Sequence, residues 1–332
     1  MASDILIVKL SSLGDVIHAL PAAQDVRRAF PQARIDWVVE RAFAPLLRRV
    51  TGLNDVIECD WRRWAKAPLS ADSWRGWRDF RSRLQARPYD AVLDLQGLTK
   101  SALVARTARL SPTGHRYALG NRTDGAGWEP TTRWLADRPI TLPAHVHALT
   151  RSRELCARAL GYPMHESIAY GLPQQAATDS AEVVLLTGSS RADKAWPDDH
   201  WFDLGGRLLT AGHTLALAHG SPHEEALAHS LAARWGVGDR VRVWQRMDLS
   251  ALVERLAQAG GAIGVDSGPS HLAVALGLPH VQIYRHPTSW RTGPLHNPRQ
   301  RSVEDLAIPS VDGVWQAWLD VSARALKEPS SC

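Results

Sequence analysis

The stretch TGSSRADK, residues 187–194, follows an apolar run and ends on a cation. Ser189 and Ser190 can hydrogen-bond phosphate oxygens, and Lys194 offers a compact charge to a departing diphosphate. A second stretch, GVDSGPSH at 264–271, ends a predicted strand at Asp266 and opens a helix, with Pro269 suited to its first turn. The N–H groups and dipole at Ser267 and Gly268 would face an anion, and His271 lies within the first turn. A third, SSLGDVIHALP at 11–21, sets Gly14 beside Asp15 after the apolar run at 5–8. It has neither G-x-G-x-x-G nor a P-loop ending, which turns the phosphate reading away from it. Asp15 is either a helix cap or a general base that takes a proton from an acceptor hydroxyl.

Cations gather at two further strand ends. Arg62, Arg63 and Lys66 lie in DWRRWAK at 60–66, and arginines bind carboxylates and phosphates bidentately. Gln96 and Lys100 lie in LDLQGLTKS at 93–101. In HGSPHEE at 219–225, Glu224 or Glu225 either accepts from a ribose hydroxyl or only favours the first turn of a helix. The net charge is +5 with pI near 9.4. A basic chain suits nucleic acid, an anionic membrane surface or an acidic substrate. No zinc-finger, RNP or basic-zipper pattern accompanies the charge, so no nucleic-acid partner is expected. Cys59, Cys156 and Cys332 are far apart, which argues against disulfides and against a zinc site.

These residues need a scaffold that brings strand ends together. The 332 residues suit two domains. Apolar runs at 5–10, 34–40, 55–60, 89–97 and 115–120 alternate with helical patterns at 16–30, 41–50, 70–85 and 99–110, with an Arg/Trp-rich loop after the third run. A long helix at 145–160 closes this half, and the alternation restarts at 182. Strands alternating with helices predict an α/β protein of two Rossmann-like, doubly wound domains facing across a cleft. The expected division is 1–165, a linker at 166–180, 181–310, and a final segment at 311–332. No apolar run is long enough to cross a bilayer, and Asp4 and Lys9 interrupt the first one, so a cytoplasmic protein is expected.

Taken in order, ILIVKLSSLGDVIHALPA, DWVVE, YDAVLDLQGLTKSALVAR, DKAWP, SPHEE and VDSGPSHLAVALG resemble the bacterial lipopolysaccharide heptosyltransferases, and RRWAK and RADKAWP favour their type I branch. The resemblance implies the glycosyltransferase B fold. In it the first domain binds the acceptor, the second binds the nucleotide sugar, and the last helix packs back toward the first. It implies an inverting, metal-independent enzyme with no cofactor. ADP-L-glycero-D-manno-heptose would be the donor, and the Kdo 5-hydroxyl of Kdo2-lipid A the acceptor.

Carried over by position, Asp15 matches the base and Lys194 the leaving-group cation. Ser189, Ser190, Glu224 (or Glu225), Asp266, Ser267, Gly268 and His271 match donor positions. Arg62, Arg63, Lys66 and Arg151 match basic acceptor positions; Gly14, Gln96 and Lys100 join them from their strand ends. A monomer working peripherally on the cytoplasmic face of the inner membrane is implied. Arg285-His286 departs from the family's Gly-Pro after the last strand's tyrosine. That departure keeps open a relative with another lipopolysaccharide acceptor, as in the type II branch, or another nucleotide sugar. A non-catalytic nucleotide- or nucleic-acid-binding protein is the reading from a different class.

Overall fold

The computed structural model describes residues 3–172, 180–189 and 191–325. Ser190, Cys332 and linker positions 173–179 lie outside the described residues. The chain divides into two compact units, Met1–Leu172 and Pro173–Cys332.

In the first unit, β1 (Asp4–Val8), β2 (Arg34–Glu40), β3 (Asp55–Cys59), β4 (Tyr89–Asp94), β5 (Leu110–Leu119) and β6 (Arg138–Ile140) form one parallel sheet in the order β3-β2-β1-β4-β5-β6. In the second, β7 (Glu182–Leu186), β8 (Thr214–Leu217), β9 (Val241–Val243), β10 (Gly261–Val265), β11 (His280–Tyr284) and β12 (Gln300–Glu304) form another, ordered β12-β11-β10-β7-β8-β9. Counted within its own unit, each order is the doubly wound one, as the alternating pattern predicts. The central strands read as unbroken apolar runs because helices cover both faces; Ile5, Leu6, Ile7 and Val8 are fully buried.

Two edge strands carry no such signal. β6 contains Pro139, which an edge tolerates, and β12 (QRSVE) alternates polar residues.

Three local expectations change. The helix after β1 is Leu13–Ala29, beginning three residues earlier than its apolar period suggests, so Gly14 and Asp15 belong to its first turn. The stretch 41–50 forms a short 3-10 turn, Arg41–Phe43, followed by one helical turn, Ala44–Leu47. The Arg/Trp-rich stretch is a helix, Trp61–Lys66, not a loop, because Trp64 anchors it against Trp77 and Phe80.

Helix Leu13–Ala29 packs along helix Ala148–Leu160. A buried pair locks the two: Arg153 Nε donates to Asp25 Oδ2 at 2.5 Å. Breaking such a pair typically costs about 3–5 kcal/mol, because one charge stays buried alone. The final helix, Val311–Ala325, packs on helix Asp198–Thr210, β11 and β12 of its own unit. Cys59 and Cys156 are free and buried. Among the described residues no helix is long and apolar enough to cross a membrane.

Candidate active site

In each sheet the strand order reverses between two central strands, β1/β4 and β7/β10. The loops after these strands open a crevice at that point. Most of the residues singled out above lie in those four loops.

In the second unit, Asp266 follows β10 directly and is buried. Lys194, at the end of the 3-10 turn Ala192–Lys194, donates through Nζ to Asp266 Oδ2 at 2.5 Å. His271 Nε2 lies 3.2 Å from Asp266 Oδ1, and Gln282 Nε2 of β11 meets His271 Nδ1 at 3.3 Å. Burial pushes the Asp266 pKa up, but His271 and Lys194 together outweigh it and hold the carboxyl well below the usual carboxylate range. Ser267 precedes helix Gly268–Ala275 in an extended conformation. The hydroxyls of Ser267 and Ser270 are buried with no hydrogen-bond partner among the described residues. The N–H groups of Gly268 and Ser270 in the first turn have no intrahelical partner either, so this helix start offers N–H and O–H donors. Ser189 Oγ, in the loop after β7, accepts from Arg191 N at 3.3 Å.

The two glutamates differ in position. Glu224, in the first turn of helix Pro222–Trp235, accepts from Gly220 N at 2.7 Å. A Cβ on Gly188 would come within 2.6 Å of both its carboxylate oxygens, so Glu224 lies against the loop after β7. Glu225 is exposed.

In the first unit, Asp15 is 40% exposed. Its Oδ2 accepts from Ser12 N at 3.1 Å and from Ser12 Oγ at 2.9 Å, and Oδ1 lies 3.8 Å from the buried Lys9 Nζ. One oxygen thus belongs to the helix start and the other to a lysine. Burial raises the Asp15 pKa, yet Lys9, Ser12 and Arg151 prevail and hold it below its ordinary value. Burial lowers the Lys9 pKa, with Asp15 opposing.

The loop after β4 clamps this arrangement. Gln96 Oε1 accepts from Leu10 N at 3.0 Å and Ser11 N at 3.1 Å, and Lys100 Nζ donates to Ser11 Oγ at 3.0 Å. Asp94 holds the loop in turn, accepting from Gln96 N and Gly97 N through Oδ1 and from Ser101 Oγ through Oδ2. Gly97 has φ +81°, which favours glycine at this turn. Arg151 is buried, donates to Thr123 Oγ1 at 3.1 Å, and acts electrostatically on both Lys9 and Asp15. Arg62, Arg63 and Lys66 are exposed on their short helix; the Arg62 N–H joins it to Glu40 at the end of β2, on which Lys100 also acts electrostatically.

Comparison with known proteins gives this geometry a context. The model of glycosyltransferase family 9 (heptosyltransferase) matches residues 77–308. The chain belongs to that family. It is 39% identical over 287 residues to lipopolysaccharide heptosyltransferase 1 of Escherichia coli O18:K1:H7 (strain RS218), covering 84% of this chain and 85% of the relative. The solved structure of E. coli heptosyltransferase WaaC with ADP aligns at TM-score 0.80 and 34% identity, over 98% of both chains. WaaC with ADP-2-deoxy-2-fluoro heptose aligns at 0.77 and 34%, again over 98% of both.

Within this heptosyltransferase, the departure at 285–286 has a structural place. Arg285 Nη1 donates to Ala195 O at 3.0 Å, and His286 Nε2 lies 3.6 Å from Asp193 Oδ2, so both residues brace the turn that carries Lys194. Sequence reasoning missed Lys9, Glu40, Asp94 and Gln282. Polar residues at strand ends or inside an apolar strand were the signal available for all four.

Proposed function

We propose that this heptosyltransferase transfers L-glycero-D-manno-heptose from its ADP conjugate to the 5-hydroxyl of Kdo on Kdo2-lipid A, the first heptose of the lipopolysaccharide inner core. The Lys194–Asp266–His271 cluster at the start of helix Gly268–Ala275 carries the reading. It offers cationic and N–H groups to a diphosphate, and relatives at 34–39% identity are named for heptose transfer or solved with ADP. The second unit is then the donor half and the first the acceptor half.

The step is a single inverting displacement. The Kdo oxygen forms a bond to the anomeric carbon as the bond to the diphosphate oxygen breaks. Asp15, ionised at neutral pH, receives the hydroxyl proton. Negative charge grows on the departing ADP, where Lys194 and the helix start receive it without a metal ion. Arg62, Arg63 and Lys66 meet the acceptor's carboxylate and phosphates. The protein works as a peripheral monomer on the cytoplasmic face of the inner membrane.

The test is transfer from ADP-heptose to Kdo2-lipid A in the presence of a chelator, with the product's anomeric configuration read by NMR. Transfer only to an already heptosylated acceptor would move the protein to the type II branch. Arg285 and His286 beside the Lys194 turn favour one other reading, a different nucleotide sugar, and competing donors in the same assay decide it.

Gly188→Ala probes Glu224. The new methyl would displace a flexible carboxylate rather than backbone, so thermal stability should hardly change. ADP affinity should fall by about tenfold, as expected for a lost hydrogen bond to a charged group. Unchanged affinity in a calorimetric titration would remove Glu224 from the donor site.

A further inference from the structure

Beside the basic helix lies a cavity of about 510 Å³, walled by Trp61, Trp64, Pro68, Trp74, Trp77 and Leu103. Its size is that of a small-molecule site. Trp64, Trp77 and Phe80 fix its floor through ring contacts at 5.4–5.6 Å. Its rim is open and apolar: Trp74 is 62% and Leu103 41% exposed. An open apolar slot of this kind on one face calls for an occupant.

The surrounding charge says which. Arg62, Arg63 and Lys66 are exposed on helix Trp61–Lys66, which also supplies Trp61 and Trp64 to the wall. Arg106 lines the cavity from helix Thr99–Thr107. The neighbouring carboxylates are already paired, Asp60 with Arg41 and Arg63, Asp72 with Arg75. Helix Thr99–Thr107 also carries Lys100, bonded to Ser11, and places Lys100, Leu103 and Arg106 along one face at a spacing of three. The cavity therefore shares helix Thr99–Thr107 with Lys100 and helix Trp61–Lys66 with the proposed acceptor cations. Apolar walls under a rim of cations match an amphiphile with an anionic headgroup.

We infer that this cavity holds one acyl chain of the anionic glycolipid acceptor; the inference rests on the acceptor reading above. Each methylene moved from water into such a slot multiplies affinity by about fourfold, or about 0.8 kcal/mol.

The experiment compares acylated Kdo2-lipid A with the same headgroup stripped of its acyl chains, using the wild type, Trp74→Ala and Leu103→Asn. The wild type should show an acceptor KM lower for the acylated form by at least about tenfold, the worth of about two buried methylenes, and each variant should lose most of that advantage. The KM for the stripped acceptor and kcat should stay as in the wild type. Variants that keep the advantage, or that raise both KM values alike, overturn the inference while leaving transfer intact. Equal loss of binding to phosphatidylglycerol vesicles lacking the acceptor also overturns it and assigns the slot to the bilayer. No transfer to either acceptor by the wild type would instead sink the functional reading, and this inference with it.

Discussion

Asp15→Ala should lower turnover by about 10²–10⁴-fold, the usual worth of a positioned general base, while ADP binding stays near the wild-type value. The structure makes the test sharper, because Asp15 has two engagements. Its Oδ2 serves Ser12 at the helix start, and its Oδ1 faces Lys9. Alanine removes both, and loss of the helix-start bonds alone costs about 1 kcal/mol of stability. Asp15→Asn keeps an acceptor for Ser12 and cannot take a proton. It should therefore keep the helix-start bonds, lose only the attraction to Lys9, and turn over like Asp15→Ala. An asparagine variant with near-normal kcat would leave Asp15 as a cap only.

The Lys9 contact gives an independent readout. The Asp15 carboxyl sits below its ordinary pKa with Lys9 as the strongest opponent of burial. Lys9→Met leaves burial less opposed, so the Asp15 pKa must rise. The acidic limb of kcat/KM should then move to higher pH. A limb that stays in place would show that it reports another group.

Lys194→Ala should cost about 10²–10³-fold in kcat, the scale set by removing one preorganised donor from a developing negative charge. ADP should also bind more weakly, since product and transition state both carry charge on the diphosphate. The variant should remain folded, because Asp266 keeps His271 at 3.2 Å. Lys194→Arg should rescue poorly: the planar guanidinium is wider than the ammonium that fits 2.5 Å from Asp266 Oδ2. Single-turnover rates alongside donor titrations separate the possibilities. A raised donor KM at unchanged kcat would mean that Lys194 binds ground state and transition state alike and does not assist departure.

The sequence made the sheets readable where burial on both faces forced apolar runs, as in β1 and β10. It hid β6 and β12, since an edge strand covered on one side needs no such run. The four loops with the candidate residues were readable from their position after strands. Their internal wiring was not. Lys9 looks like the solvated end of a strand, yet it is buried and bonded to Leu95 O at 3.0 Å. Spacing alone left Glu224 and Glu225 equivalent; the missing side chain of Gly188 separates them. The WRRWAK stretch read as a loop because its helix depends on tryptophans contributed by a later helix. Contacts between residues distant in the chain decided each of these points.

The carboxylate beneath the β4 loop has a consequence for how the protein responds to acid. Burial raises the Asp94 pKa to about 6, from an unfolded value near 3.8. Its contribution to stability is therefore greatest below about pH 4 and is lost as pH rises through about 6, a difference of about 3 kcal/mol. Burial shifts Asp36 and Glu40 in the same direction. The ionised form, however, is the one that gives charge-assisted bonds to the N–H groups of Gln96 and Gly97, and through Gln96 steadies Ser11. Between about pH 4 and 6, resistance to urea and catalytic rate should therefore run in opposite directions. Asp94→Asn should make the first profile shallower, leaving the share of Asp36 and Glu40; a profile that keeps its full slope would clear Asp94 of the effect. At neutral pH this fold works with part of its stability held back in buried carboxylates, Asp94 foremost.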